Sequence, residues 1–160
     1  MVSLDPAMQS HLITIPARPA PIEIDPTKAA LIVVDMQNDF AAKGGLFDHA
    51  GLDISGARAA IPHIQKAIAA ARGSRIPVIY LKMGFQPDLS DLGAEDSVNR
   101  VRHLHFGVGQ TARAPDGTTG RFLIRDTWNT DIVAELEPEA EDLVIYKSLS
   151  LIHISEPTRP

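Results

Sequence analysis

Three short runs of uninterrupted apolar residues stand out along the chain: Leu31-Ile32-Val33-Val34, Val78-Ile79-Tyr80-Leu81 and Leu143-Val144-Ile145-Tyr146. Such β-branched runs, without alternation, predict strands buried on both faces of a parallel sheet. Between the first two, Ile54, Ala57, Ile61, Ile64, Ile68 and Ala71 recur at steps of three and four. That spacing predicts one apolar stripe on a helix stopped by Gly73. Pro62 falls inside the stripe, and proline lacks the N–H and clashes one turn back, so the regular helix is expected to begin close to Ala60 or to bend there. The polar, glycine-containing stretch from Gln37 to Asp53 reads as loop. The long stretch from Lys82 to Thr119 is of the kind that carries function. Arg121 to Ile124 fits either a short strand or a continuation of this loop. Asn129 or Thr130 is placed to cap a brief helix with Ile132, Val133 and Leu136 on its apolar face, closed by Pro138. Strand, helix, strand, loop with short helix, strand is the alternation of an α/β sheet.

Residues 1–27 carry five of the 12 prolines and hold no sustained period, so they read as an extended arm leading into a domain at 28–148. At 160 residues the chain has room for about one domain of ~150 residues. Apolar residues make up 44% and charged residues 22%, which is globular usage rather than that of a disordered chain. The formal charge of −5 and the lack of a Lys/Arg cluster argue against a nucleic-acid partner. No apolar run approaches the ~20 residues of a bilayer span, and no secretory leader pattern opens the sequence. A soluble, cytoplasmic protein without a membrane partner is expected. The absence of cysteine excludes disulfides, thiolate metal sites and a thiol nucleophile within these 160 residues.

Open parallel sheets bind ligands at the carboxyl ends of their strands. Asp35 closes the first predicted strand and Lys147 the third, so if those strands are neighbours the two side chains emerge on one rim. A carboxylate beside an ammonium in a partly dry cleft is a proton-handling pair. The plainer alternative is a turn-forming Asp and a solvated Lys at a strand end, and spacing leaves both open. An aspartyl phosphotransferase wants a second carboxylate two residues on, where Gln37 stands. No glycine-rich phosphate loop follows any strand. His103 and His105 would share a face if they lay on a strand, but they have no third ligand in a recognisable spacing. Trp128 reads as a packing anchor at a helix entry.

The stretch Leu31-Ile32-Val33-Val34-Asp35-Met36-Gln37-Asn38-Asp39-Phe40 resembles the isochorismatase-like cysteine hydrolases, whose first strand ends in a catalytic Asp. Gly44-Gly45, the Asp48 to Asp53 segment, Pro87-Asp88-Leu89-Ser90-Asp91-Leu92 and Arg125-Asp126-Thr127-Trp128-Asn129 are similar to the subgroup that holds ureidoacrylate amidohydrolase and biuret hydrolase. The resemblance implies a three-layer, doubly wound parallel sheet and a Cys-Asp-Lys triad that hydrolyses a small amide or ureido C–N bond. It implies that Asp35 is the catalytic proton carrier and Lys147 the residue that activates the thiol. Such activation is needed because a free thiol, with a pKa near 8.5, is mostly protonated at neutral pH. It also implies substrate contacts from the segment after the second strand, at Met83, Gly84 and Phe85. A related metal-holding D-x-H motif is absent from Met83-Gly84-Phe85-Gln86-Pro87-Asp88, so no metal and no other cofactor is expected. The implied partner is a small amide or ureido substrate, and the implied assembly of a full-length protein is a homo-oligomer.

In that family the nucleophilic cysteine follows a fourth strand, beyond Lys147. The expectation is therefore that the sequence covers only the N-terminal half of the fold. Residues 149–160, Leu149-Ser150-Leu151-Ile152-His153-Ile154 and onward, resemble a translated adaptor of transposase-made sequencing libraries and are expected to be foreign to the protein. A three-strand half-sheet is expected to expose the edge of its first strand, to aggregate or fold incompletely, and to lack amidase activity. The rival expectation is a non-catalytic binding or assembly protein that retains the half-fold.

Overall fold

A computed structural model describes residues 12–148. The described part of the proline-rich arm forms a hairpin, β1 (Ile13–Ile15) against β2 (Ile22–Ile24), with Ile13 opposite Ile24 and Ile15 opposite Ile22. Its isoleucines are spaced two apart, a period too short-lived to register in a sequence punctuated by prolines.

The domain proper runs through β3 (Leu31–Val34), two single-turn helices α1 (Asn38–Ala41) and α2 (Leu46–His49), the long α3 (Ser55–Gly73) and β4 (Val78–Met83). It continues through α4 (Val98–Phe106), the strands β5 (Thr111–Arg113) and β6 (Thr119–Arg121), and β7 (Leu143–Lys147). The three apolar runs form one parallel sheet in the order β3-β4-β7, with Val33, Tyr80 and Val144 in one register row.

Ile61, Ile68 and Ala71 of α3 are buried against Val33, Val78 and Tyr80, with Ala57 and Ile64 packed at the margin. Each such side chain stabilises the fold by roughly 1.5–3 kcal/mol on burial. Pro62 does not set the start of this helix. Asp53 accepts a hydrogen bond from the Ser55 N–H at 2.8 Å, and the helix runs from Ser55 through the proline to Gly73. Arg75, with φ of 57°, rather than Gly73, takes the left-handed turn that follows.

Coverage of the sheet differs from the expectation of burial on both faces. The opposite face leaves Ile32, Leu143 and Ile145 between 47% and 55% exposed. β3 is an edge strand. Continuous apolar sequence therefore marks these strands as sheet-forming, but among the described residues cover comes from the α3 side alone, and even there Val144 stays 44% exposed.

The region from Lys82 to Thr119 holds more structure than a loop. Ser97 accepts a hydrogen bond from the Arg100 N–H and caps α4, Gly107 ends it at φ of 105°, and β5 and β6 form a hairpin. His103 and His105 consequently lie on a helix, where positions two apart do not share a face, and the strand-based metal pair is not formed. Instead of one short helix after Asn129, two single 3₁₀ turns occur at Trp128–Thr130 and Ala134–Leu136. Ile132, Val133 and Leu136 are buried in the core as the apolar pattern required.

Candidate active site

The strand-end residues Asp35 and Lys147 meet. Lys147 Nζ lies 2.8 Å from Asp35 Oδ1 and donates a hydrogen bond to Oδ2 at 3.0 Å. Their strands are not neighbours, because β4 runs between them, so the lysine spans the end of the central strand to reach the carboxylate. Backbone geometry makes this possible. In a regular strand Asp35 would face the α3 side, as Val33 does. Its φ of 56° breaks that alternation while its N–H still donates to Leu81 O at 2.9 Å. A left-handed, non-glycine residue held by the surrounding structure is a common feature of functional sites. The Lys147 side chain is 6% exposed against 35% for Asp35, so the ammonium is almost wholly buried, while Asp35 buries Oδ1 and leaves part of its side chain accessible.

Three polar residues that follow Asp35 fix the rim. Gln37 is fully buried, and its amide donates to Met83 O at 2.8 Å while accepting from Met83 N at 2.7 Å. Met83 is the register partner of Lys147, so this side chain carries the β3–β4 ladder on after the main chain has turned away. Asn38 donates from Nδ2 to Trp128 O at 2.7 Å. Asp39, also fully buried, accepts hydrogen bonds from Leu123 N at 2.6 Å, Asn129 Nδ2 at 2.7 Å and Leu46 N at 3.0 Å. Burial pushes the Asp39 carboxyl up to about 6, against the pull of those three donors. The chain of contacts continues: Leu123 O accepts from Phe85 N at 2.8 Å, and Arg125 N donates to Phe85 O at 3.0 Å.

Met83 sits beside the ion pair through its register with Lys147. Phe85 is fully buried and meets the His103 ring edge-on at 5.3 Å, within a second apolar cluster with Leu46, Leu92 and Phe122. Gly84 lies between them, and a Cβ there would come within 2.9 Å of the Tyr146 ring. The Tyr146 hydroxyl accepts from Asp126 N at 3.1 Å and lies 3.1 Å from Thr130 Oγ1. The arrangement presents a fixed carboxylate–ammonium pair at the carboxyl edge of a parallel sheet, with a rigid floor beneath it. Sequence spacing singled out the pair but not the supporting Gln37 and Asp39. Their signal was a polar run directly after a buried strand, too short to be an ordinary exposed loop.

Comparison with known proteins places this geometry. A family model described as the isochorismatase domain matches residues 29–151. The chain belongs to the isochorismatase family. Among family relatives it is 37% identical over 143 residues to a ureidoacrylate amidohydrolase of Rhizobium rhizogenes, covering 89% of this chain and 57% of that protein. A ureidoacrylate amidohydrolase of Serratia proteamaculans is 40% identical over 135 residues, covering 84% of this chain and 53% of its own length. The isochorismatase-family chain thus spans little more than half the length of these relatives. A cysteine hydrolase from Pseudomonas syringae superposes with a TM-score of 0.58 at 31% identity, covering 78% of this chain and 48% of that one.

Proposed function

We propose that this chain supplies the acid–base half of a cysteine-dependent amidohydrolase that cleaves a small ureido or amide C–N bond, as in ureidoacrylate or biuret. The supporting observation is the Asp35–Lys147 pair at 2.8 and 3.0 Å on the rim where α/β sheets bind their ligands. Similarity to ureidoacrylate amidohydrolases supports the substrate class. In this reading the nucleophilic thiol comes from sequence C-terminal to Lys147, since the 160 residues hold no cysteine.

Asp35 takes the thiol proton, and the thiolate adds to the carbonyl carbon. The C–N bond breaks as Asp35 returns that proton to the departing nitrogen. Water then adds to the thioester carbon, giving a proton to Asp35; the C–S bond breaks, Asp35 returns that proton to the departing thiolate, and the acid leaves while the restored thiol stays on the enzyme. Lys147 holds the Asp35 carboxylate in place and offsets the negative charge of the thiolate. Met83 borders the pair, and Phe85 shapes the segment that carries it.

The test is to recover source DNA past the Ser148 codon and express the complete reading frame. The expected result is a further strand and a helix bearing a cysteine, and a protein that releases ammonia from ureidoacrylate or biuret. A continuation without cysteine, or one that encodes Leu149 to Pro160 as natural sequence, overturns the proposal and favours a binding protein.

A further inference from the structure

Lys82 is as deeply buried as Lys147, at 8% exposure, yet it faces the other way. Consecutive strand residues point to opposite faces, and Lys82 shares its register row with Tyr146 while Met83 shares one with Lys147. The Lys82 ammonium therefore opens on the α3 side of the sheet, on the face opposite Lys147. It borders a cavity of about 370 Å³ whose walls include Trp128, Val144, Asp131 and Glu137.

An ammonium carries three donors and no acceptor, and a buried one is costly unless it is paired. Among the described residues, the carboxylate paired with Lys82 is that of Asp131, at 3.7 Å. That distance lies beyond hydrogen-bond range, and Asp131 itself is 60% exposed. The Tyr146 ring, 4.6 Å from Nζ, adds a cation–π contact but no acceptor. The base of the cavity thus holds a largely buried cation whose one carboxylate partner, Asp131, stands too far off for a hydrogen bond. Its rim holds two exposed carboxylates, Asp131 and Glu137, and between base and rim lie the apolar surfaces of Trp128 and Val144. A simple anion satisfies the base but is repelled at the rim. A ligand with a carboxylate at one end and a cationic nitrogen close by satisfies both.

We infer that this cavity binds a small amino acid, its carboxylate on Lys82, its ammonium toward Asp131 and Glu137, and its side chain against Trp128 and Val144. The volume sits at the small end of ligand pockets, as suits a molecule of that size. This site is distinct from the proposed amidase reaction in that it uses neither Asp35 nor Lys147, although Asn38 and Trp128 border both it and the catalytic rim.

Trp128 is the only tryptophan of the chain, so its emission reports occupancy directly. The 160-residue protein, if it melts cooperatively, and otherwise the complete reading frame, is titrated with L-leucine, with leucinamide, which lacks the carboxylate, and with isocaproate, which lacks the ammonium. Saturable emission change with leucine is expected, with at least tenfold weaker binding of each analogue. Lys82→Met should weaken leucine at least tenfold, and Lys82→Arg should keep it within about threefold; each step is a direct ratio of dissociation constants. Trp128 also lines a second hollow near Arg58, so an affinity unmoved by Lys82→Met overturns the assignment. No saturable change with leucine up to about 10 mM, or leucinamide binding as tightly as leucine, overturns it as well. Should Lys82→Met fail to fold, as judged by circular dichroism, the ranking of the three ligands on the unaltered protein decides alone.

Discussion

The surroundings of Lys147 and Lys82 form a natural pair for comparison: equal burial, adjacent register rows, opposite faces of one sheet. Lys147 has both oxygens of a carboxylate within 3.0 Å, delivered by a residue whose backbone leaves the regular strand to reach it. Lys82 has one oxygen at 3.7 Å and an aromatic face. Burial alone therefore does not mark a catalytic lysine. What separates the two is how much structure is committed to bringing a partner to the ammonium. Around Lys147 that commitment includes a strained Asp35, the Gln37 amide and the Asp39 hub; around Lys82 it is an open cavity.

The comparison breaks most sharply in catalysis. In the complete enzyme, Asp35→Asn and Lys147→Met should each lower kcat/KM by about 10³-fold or more, the range of a lost acid–base group, in an ammonia-release assay. Lys82→Met should leave the same rate within about threefold. Equal losses at both lysines would erase the distinction.

A pH series on stability sharpens it through a third buried ionisable group, Asp39, which has hydrogen-bond donors but no counter-ion among the described residues. Its carboxyl is raised from 3.8 to about 6 in the folded state, so the folded chain holds the proton more tightly than the unfolded one. Its contribution is therefore fully present below pH 3.8 and is lost as pH rises through about 6, a swing of about 3 kcal/mol. Urea melts between pH 4 and 7 should reveal this slope, and Asp39→Asn should flatten it.

Gln37→Ala leaves a buried N–H and C=O of Met83 without partners and should cost about 2–4 kcal/mol in chemical denaturation. On ¹³C-labelled lysine spectra the Lys147 signal should move more than that of Lys82, because Met83 is in register with Lys147 alone of the two. The smallest effect belongs to Tyr146→Phe. It removes the hydroxyl contacts to Asp126 N and Thr130 but keeps the ring over Lys82, so a loss of about 1 kcal/mol is expected, read as a shift in the urea midpoint.

The sheet and α3 were legible in the sequence because their signals are local: three β-branched runs and one stripe at helical spacing. Pro62 misled the start of the helix because the chain is already helical from Ser55, directly after the Asp53–Ser55 turn and ahead of the proline. α4 escaped notice because its apolar residues, Val98, Val101, Leu104 and Phe106, remain largely exposed and interleave with charge. Asp35 and Lys147 were readable as strand ends, but their meeting depended on a left-handed φ and on the strand order, neither of which spacing encodes. Gln37 and Asp39 belong to a polar run whose partners, Met83 and Leu123, lie 46 and 84 residues away, so only the fold reveals their work.

The Gln37 amide has one further consequence. A side chain that stands in for a peptide group uncouples the length of a hydrogen-bonded ladder from the path of the main chain. β4 stays clamped for two residues past the point where β3 has left the sheet, and once the Asp35 N–H has donated to Leu81 O, the backbone from the Asp35 carbonyl through Met36 has no further duty to the ladder. Mutational drift in those two residues can then be governed by chemistry at the rim rather than by sheet propensity, while drift at position 37 is confined to side chains that carry both a donor and an acceptor at amide spacing.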